Sequence, residues 1–252
     1  MLRLVLAFIL FALPLSAEEK VVADLSQNRV AITANFDGTS ILIFGAVKRF
    51  TPPPEGGPLE VVIAVSGPLQ PVTVRRKERT LGIWINRNAV EVDAAPSFYT
   101  VAATGTLSDI LSETEDFRYK ISLKHLIRSV GVAEVQGAEE FSEALVRIRQ
   151  NNGLYSQGGH EVALNAETLF RTEIALPSNL VEGSYRTRIF LIRDRKVVDE
   201  YETKIDVQKV GLERWIYNLA HQKPLVYGIL SLAIAIAAGW LASAVFRVLR
   251  LN

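Results

Sequence analysis

The chain has 252 residues, 28 of them basic and 27 acidic, and no cysteine. So even a charge balance gives no electrostatic basis for binding nucleic acid, and the lack of thiols excludes a disulfide framework, a lipidated cysteine and a thiolate metal site. The length suits one elaborated all-β domain or two small ones.

The N-terminal run MLRLVLAFILFALPLSAEEK places Arg3 before an apolar stretch from Leu4 to Leu13, then Pro14 and the small residues Ser16 and Ala17. This layout predicts a secretory signal over residues 1–17 with cleavage after Ala17, since about ten apolar residues are too few to cross a bilayer. An exported domain is then expected over 18–208. Its first section alternates Val30, Ile32, Ala34 and Phe36 with polar or small residues, turns at Asp37-Gly38 and runs apolar from Ile41 to Val47, which predicts a hairpin. The Pro-rich stretch from Thr51 to Pro58 reads as a stiff surface loop. Short strands are expected over 60–66, 71–74, 81–86 and 97–103, with the charged run Arg75 to Arg79 read as the solvated tip of a hairpin, the alternative being an anion-binding turn beside Trp84.

From Leu107 to Asn152 the period changes. Ser108 suits a cap; Phe117, Tyr119, Ile121 and Leu123 fit a strand, while Tyr119, Leu123, Leu126, Ile127 and Val130 fit the favoured alternative, a helix ending at Gly131; and Phe141, Leu145 and Ile148 line one face of a second helix stopped near Gly153. Strands return over 168–176, 185–194 and 197–207, and as sequence neighbours they are expected to form one antiparallel sheet. The fold expected is mainly β: an immunoglobulin-like β-sandwich region, as one elaborated or two small sandwiches, with a helical insertion over about 107–152.

The stretch from Leu225 to Phe246 carries no charge and is long enough to span a hydrocarbon core about 30 Å thick. It predicts one transmembrane helix over 224–246, preceded by a juxtamembrane amphipathic helix over 209–223 and followed by a tail, 247–252, whose Arg247 and Arg250 place the C-terminus in the cytoplasm. Trp215, Tyr217 and Tyr227 are expected at the outer interface and Trp240 at the inner one. Ser231, Ala235, Gly239 and Ser243 recur every fourth residue, a small-residue stripe predicted to contact another helix, in a partner or in a second copy of the chain.

The residues give little chemistry. His160-Glu161 would need a second ligand where Leu164 stands, His125 and His221 read as surface or interface residues, and no nucleophile elbow, P-loop or dinucleotide fingerprint occurs. No catalytic residue, cofactor or metal site is assigned. The expectation is a non-enzymatic, protein-binding module beside the lipid bilayer; the alternative is an anchored ligand-binding protein or hydrolase whose site is assembled from distant residues.

Four segments in order, VVADLSQNRVAITANFDGTSILIFGAV, VRRKERTLGIWINRNAVEVDAAPSFYTVAAT, LPSNLVEGSYRTRIFLIRD and KVGLERWIYNLAHQKPLVYGILSLAIAIAAGW, resemble the alphaproteobacterial predicted transmembrane proteins labelled Alph_Pro_TM. The resemblance runs nearly end to end. Together with the topology read above, an inner-membrane single-pass anchor with the N-terminal domain in the periplasm, it implies an accessory protein of a kind encoded near sulfite-exporter-type permeases, which suggests a multispanning permease as partner, and it supplies no site residues.

Overall fold

A computed structural model describes residues 19–33, 35–50, 52, 56–127 and 138–249. The predicted signal (1–17), half of the Pro-rich loop (51, 53–55), the expected helix end at Val130 and Gly131, and Arg250 in the tail lie outside the described residues. Two compact units emerge: a body containing the described residues up to Val30 and Asp37–Val207, and a second unit containing Ala31–Phe36 and everything from Gln208.

The strands are β1 (Lys20–Leu25), β2 (Arg29–Ile32), β3 (Thr39–Lys48), β4 (Glu60–Ser66), β5 (Leu69–Thr80), β6 (Ile83–Pro96), β7 (Tyr99–Ala103), β8 (Tyr155–Glu161), β9 (Ala163–Asn165), β10 (Leu169–Leu176), β11 (Gly183–Arg193) and β12 (Lys196–Lys209). The helices are α1 (Leu107–Ile110), α2 (Glu113–Tyr119), α3 (Leu123–Leu126), α4 (Ala138–Asn151), α5 (Leu212–Gln222) and α6 (Pro224–Leu249). The chain is mainly β, with a helical insertion and one C-terminal apolar helix, as the sequence patterning predicts.

One sheet has four strands in the order β1-β3-β10-β9 and another has six in the order β2-β12-β11-β4-β7-β8, while β5 and β6 form a separate two-stranded ribbon. In β10 the period of two is plain: Phe170, Thr172, Ile174 and Leu176 are buried and the residues between them exposed. In β4, Val61 to Ser66 are buried on both faces, as befits a central strand of the larger sheet. β7 and β8 run parallel, so the chain needs a long crossover between them, and α1 to α4 supply it. This crossover packs on the larger sheet: Tyr99 Oη donates to Ile121 O at 2.7 Å, Arg188 donates to Tyr119 O, and the Tyr119 ring sits edge-on to Phe190 at 5.5 Å.

Three local expectations are corrected. β2 and β3 do not form a hairpin; Gly38, at φ 115°, carries the chain from one sheet to the other, and β3 lies between β1 and β10 while β2 lies beside β12. Likewise β10 does not pair with β11. The connector from Pro177 crosses between sheets, and the buried Tyr185 fixes the crossing by donating its hydroxyl to Val181 O at 2.8 Å and accepting from Val181 N. Finally, the segment around Leu123 is two short helices, because Lys120 adopts a left-handed conformation (φ 52°) that ends α2; Ser112 caps α2, accepting from Glu115 N, and Thr106, not Ser108, precedes α1.

A buried ion cluster ties the sheets together at one end. Glu19 accepts from Arg49 Nε at 2.6 Å and from Arg193 at 3.0 and 3.1 Å, with only 2% of its side chain exposed. Arg193, from the end of β11, also reaches Gly57 O and Glu167, and Arg49 donates to Glu167 O. Burial pushes the Glu19 carboxyl pKa up, but hydrogen bonds from Arg193 and Arg49 outweigh it and hold the value below the usual carboxylate range. A depressed folded-state pKa contributes stability that is present above the unfolded-state value and is lost as pH falls through the folded one. Glu19→Gln leaves Arg193 buried with one anionic partner fewer, so urea unfolding of the detergent-solubilised chain at neutral pH should show a loss of about 3 kcal/mol. The gap to wild type should shrink on acidification below the carboxylate range; a gap that is constant with pH would contradict the assignment.

Candidate functional site

Surfaces of three kinds stand out: the apolar helix of the second unit, and, on the body, an apolar patch on a sheet face and the end of the β5–β6 ribbon. The helix comes first. Pro224 opens α6 where a missing N–H costs nothing, directly after Lys223 has ended α5. From Pro224 to Arg247 it is long and apolar enough to cross a membrane, and none of its most apolar window is buried by the chain itself.

Ser231, Ala235, Gly239 and Ser243 all lie on exposed positions of α6. The Ser231 hydroxyl donates to Tyr227 O at 2.8 Å, so it makes no unmet polar demand on a neighbouring helix. Nothing stands within 4 Å of a Cβ built on Gly239, so the stripe is open for close approach. Trp215, Tyr217, Tyr227 and Trp240 are exposed as well. Along the axis Tyr227 and Trp240 are about 20 Å apart, and Tyr227 and Arg247 about 30 Å, the thickness of a hydrocarbon core. A bilayer that meets Tyr227 at one face therefore meets Arg247 at the other. On α5, Tyr217 stacks on His221 with ring centres 4.0 Å apart, and His221 Nδ1 lies 2.9 Å from Tyr217 O.

On the body, the outer face of the four-stranded sheet carries a small apolar patch framed by charges, with Phe44 between Asp24 and Arg171 and Leu42 opposite Glu173. Ala46 stands between Val22 on β1 and Leu169 on β10, and Phe44 lies one pleat along the same face. Val22, Leu42, Phe44 and Leu169 are exposed by 41–58%. On the inward side of this patch the packing at Gly45 is tight: a Cβ there would meet the Phe170 ring at 2.5 Å and Val22 O at 2.6 Å.

The third surface corrects the reading of Arg75 to Arg79 as a hairpin tip. Those residues continue β5, pairing with β6 as far as Thr80 opposite Ile83, and the turn is Leu81-Gly82, with φ 51° and 87°. The charged run masked the turn in sequence, because a basic cluster resembles a loop; the signal that was present is Leu81-Gly82 flanked by alternating residues. At its base the ribbon is braced by α4, whose Phe141 and Leu145 pack on Val74, Val90, Val92 and Ala95, while Arg76 pairs with Glu140 and lies over the Phe141 ring.

A polar group not foreseen from sequence is Glu113, Asp116 and His125, whose ligand atoms lie within 4.8 Å of one another. Asp116 Oδ1 accepts from Ile121 N and Ser122 N, which orients the carboxylate. His125 Nε2 is 3.4 Å from Glu113, and Lys124 reaches the same oxygen at 3.5 Å; His125 and Lys124 together hold the Glu113 carboxyl below its usual range. Two carboxylates and an imidazole can ligate a divalent cation, but a lysine ammonium on the same oxygen opposes one. The arrangement serves to join α2 and α3. His160 lies apart from this group, on β8.

No curated protein matches the chain. The family described as "Putative transmembrane protein (Alph_Pro_TM)" matches residues 20–248, from the first residue of β1 into the last turn of α6. Body and apolar helix are covered together, and the chain belongs to this transmembrane-protein family.

Proposed function

We propose that the chain is a non-enzymatic accessory protein of the inner membrane, anchored by α6, that presents its β body in the periplasm as a protein-interaction module. The observation that carries this reading is the patch of exposed Val22, Phe44 and Leu169 on the outer face of the four-stranded sheet, framed by Asp24 and Arg171, an apolar centre with a charged rim of the kind that marks interaction surfaces. The strand order supports an immunoglobulin-like body. With β1, β3, β10 and β9 taken as strands A, B, E and D, and β12, β11 and β4 as G, F and C, both sheets follow the order of that sandwich. Tyr185, near the start of β11 and bonded to backbone upstream, occupies the place of the tyrosine corner.

The small-residue stripe of α6 supports a second contact inside the membrane, and the family resemblance implies a multispanning permease as the partner. Lipid offers little hydrophobic drive between helices, so association along Ser231, Ala235 and Gly239 would come from close packing. The body would add the specificity through its exposed sheet face.

Two measurements test this reading. An export-dependent phosphatase fused after Lys209 should be active and the same enzyme fused after Asn252 inactive; the reverse pattern contradicts the orientation. In mild-detergent purification the wild type should retain a multispanning partner, and Gly239→Leu, at a position whose added Cβ has open space around it, and Leu169→Glu, on the sheet face, should each lower its recovery about tenfold. Undiminished recovery in both variants would show that neither surface recruits it.

A further inference from the structure

Past Arg76, which pairs with Glu140 of α4, the β5–β6 ribbon runs on beyond the apolar cluster that braces its base. Beyond Val74 and Val90, the last members of the cluster with α4, it stays paired to its end, with Arg79 opposite Trp84 and Thr80 opposite Ile83. At its tip Leu81 is 100% exposed, Ile83 65% and Trp84 67%. Both turn residues have positive φ, a geometry for which asparagine or aspartate is the favoured first residue and leucine is disfavoured. Leu81 is therefore unfavourable twice over in water, by conformation and by exposure.

Behind the tip the chemistry changes sign of solvent preference. Arg75, Lys77 and Arg79 are exposed along β5, and the stretch from Arg75 to Asn88 holds five basic residues and one acidic. Apolar turn, indole and then cationic collar follow the order of a bilayer boundary from acyl chains through headgroups to phosphates. The collar's charge complements anionic lipid.

We propose that the ribbon tip docks on an anionic phospholipid surface, with Leu81 and Trp84 entering the interface and Arg75, Lys77 and Arg79 meeting phosphates. The docking rests on the reading that α6 holds the chain in a bilayer, because the tether keeps that lipid surface at high effective concentration. Since the strands remain hydrogen-bonded to Thr80 and Ile83, the turn and the Trp84 indole can leave water without freeing strand backbone from its partners.

The chain has no cysteine, so a single introduced thiol reports one position. The full chain carrying Leu81→Cys, labelled with an environment-sensitive nitrobenzoxadiazole dye, is reconstituted into phosphatidylcholine vesicles with or without phosphatidylglycerol, with a doxyl-lipid quencher present. In the anionic vesicles the emission should shift to the blue and be quenched. Adding Lys77→Glu and Arg79→Glu should reduce the docked fraction about tenfold, as should high salt. A label that stays in water with the anionic vesicles, or that is quenched equally with and without phosphatidylglycerol, overturns the proposal. A label at Leu232→Cys on α6 separates the two readings: quenched there but not at Leu81, the anchor stands and the docking falls; unquenched at Leu232, the anchor falls and the tethered docking with it. Leu81 touches nothing in the body, so its replacement leaves the fold in place.

Discussion

An apolar helix whose surface finds no cover among the described residues of its own chain sets the terms for the rest of this protein. α6 exposes Leu225, Ile229, Leu232, Ile234, Ile236, Trp240 and Leu241, and at about 25 cal/mol per Å² of apolar area such a surface is far too costly to leave in water. A helix that is apolar all round belongs in lipid or among other apolar helices. Because its backbone bonds are made within the helix, α6 can enter hydrocarbon without help from the body. The body is thereby free to keep its surfaces for other uses.

Within the body, two devices fix how the sheets meet. Tyr185 bonds to both polar groups of Val181, so the chain that leaves β10 enters β11 at one defined angle. The Glu19–Arg49–Arg193 cluster joins the first strand, the end of β3 and the end of β11. Buried ion pairs contribute little net stability compared with apolar packing, but removing one partner is costly, so such a cluster acts chiefly on register. Here it holds β1, an edge strand of the four-stranded sheet, in a single alignment. The apolar patch to which Val22 contributes depends on that alignment, since a slip of one residue would turn Val22 inward.

Elements with a strong local signal were legible in the sequence; partnerships between distant elements were not. The uncharged run from Leu225 identifies α6, Phe141 and Leu145 identify the buried side of α4, and alternation identifies β10 and its inward face. Nothing local tells β10 to pair with β3, whose partner residues lie more than a hundred positions away, when β11 is next in sequence. The Pro177 to Gly183 connector is a turn in either arrangement, and the choice is made by which apolar faces can be buried together. The candidate surfaces divide in the same way. The small-residue stripe is periodic on one helix and could be read directly, whereas the sheet face is assembled from three strands, and the ribbon tip was hidden because its basic residues, which lie in paired strand, look like a loop.

The central proposal is that α6 is what holds this chain in the membrane and that the body is a separable module. Alkaline carbonate washing of membranes tests it most directly, because it strips proteins bound only at the surface and leaves those that span. The full chain should remain in the membrane pellet and a chain ending at Lys209 should pass to the supernatant; release of the full chain, or retention of the truncated one, would contradict the account.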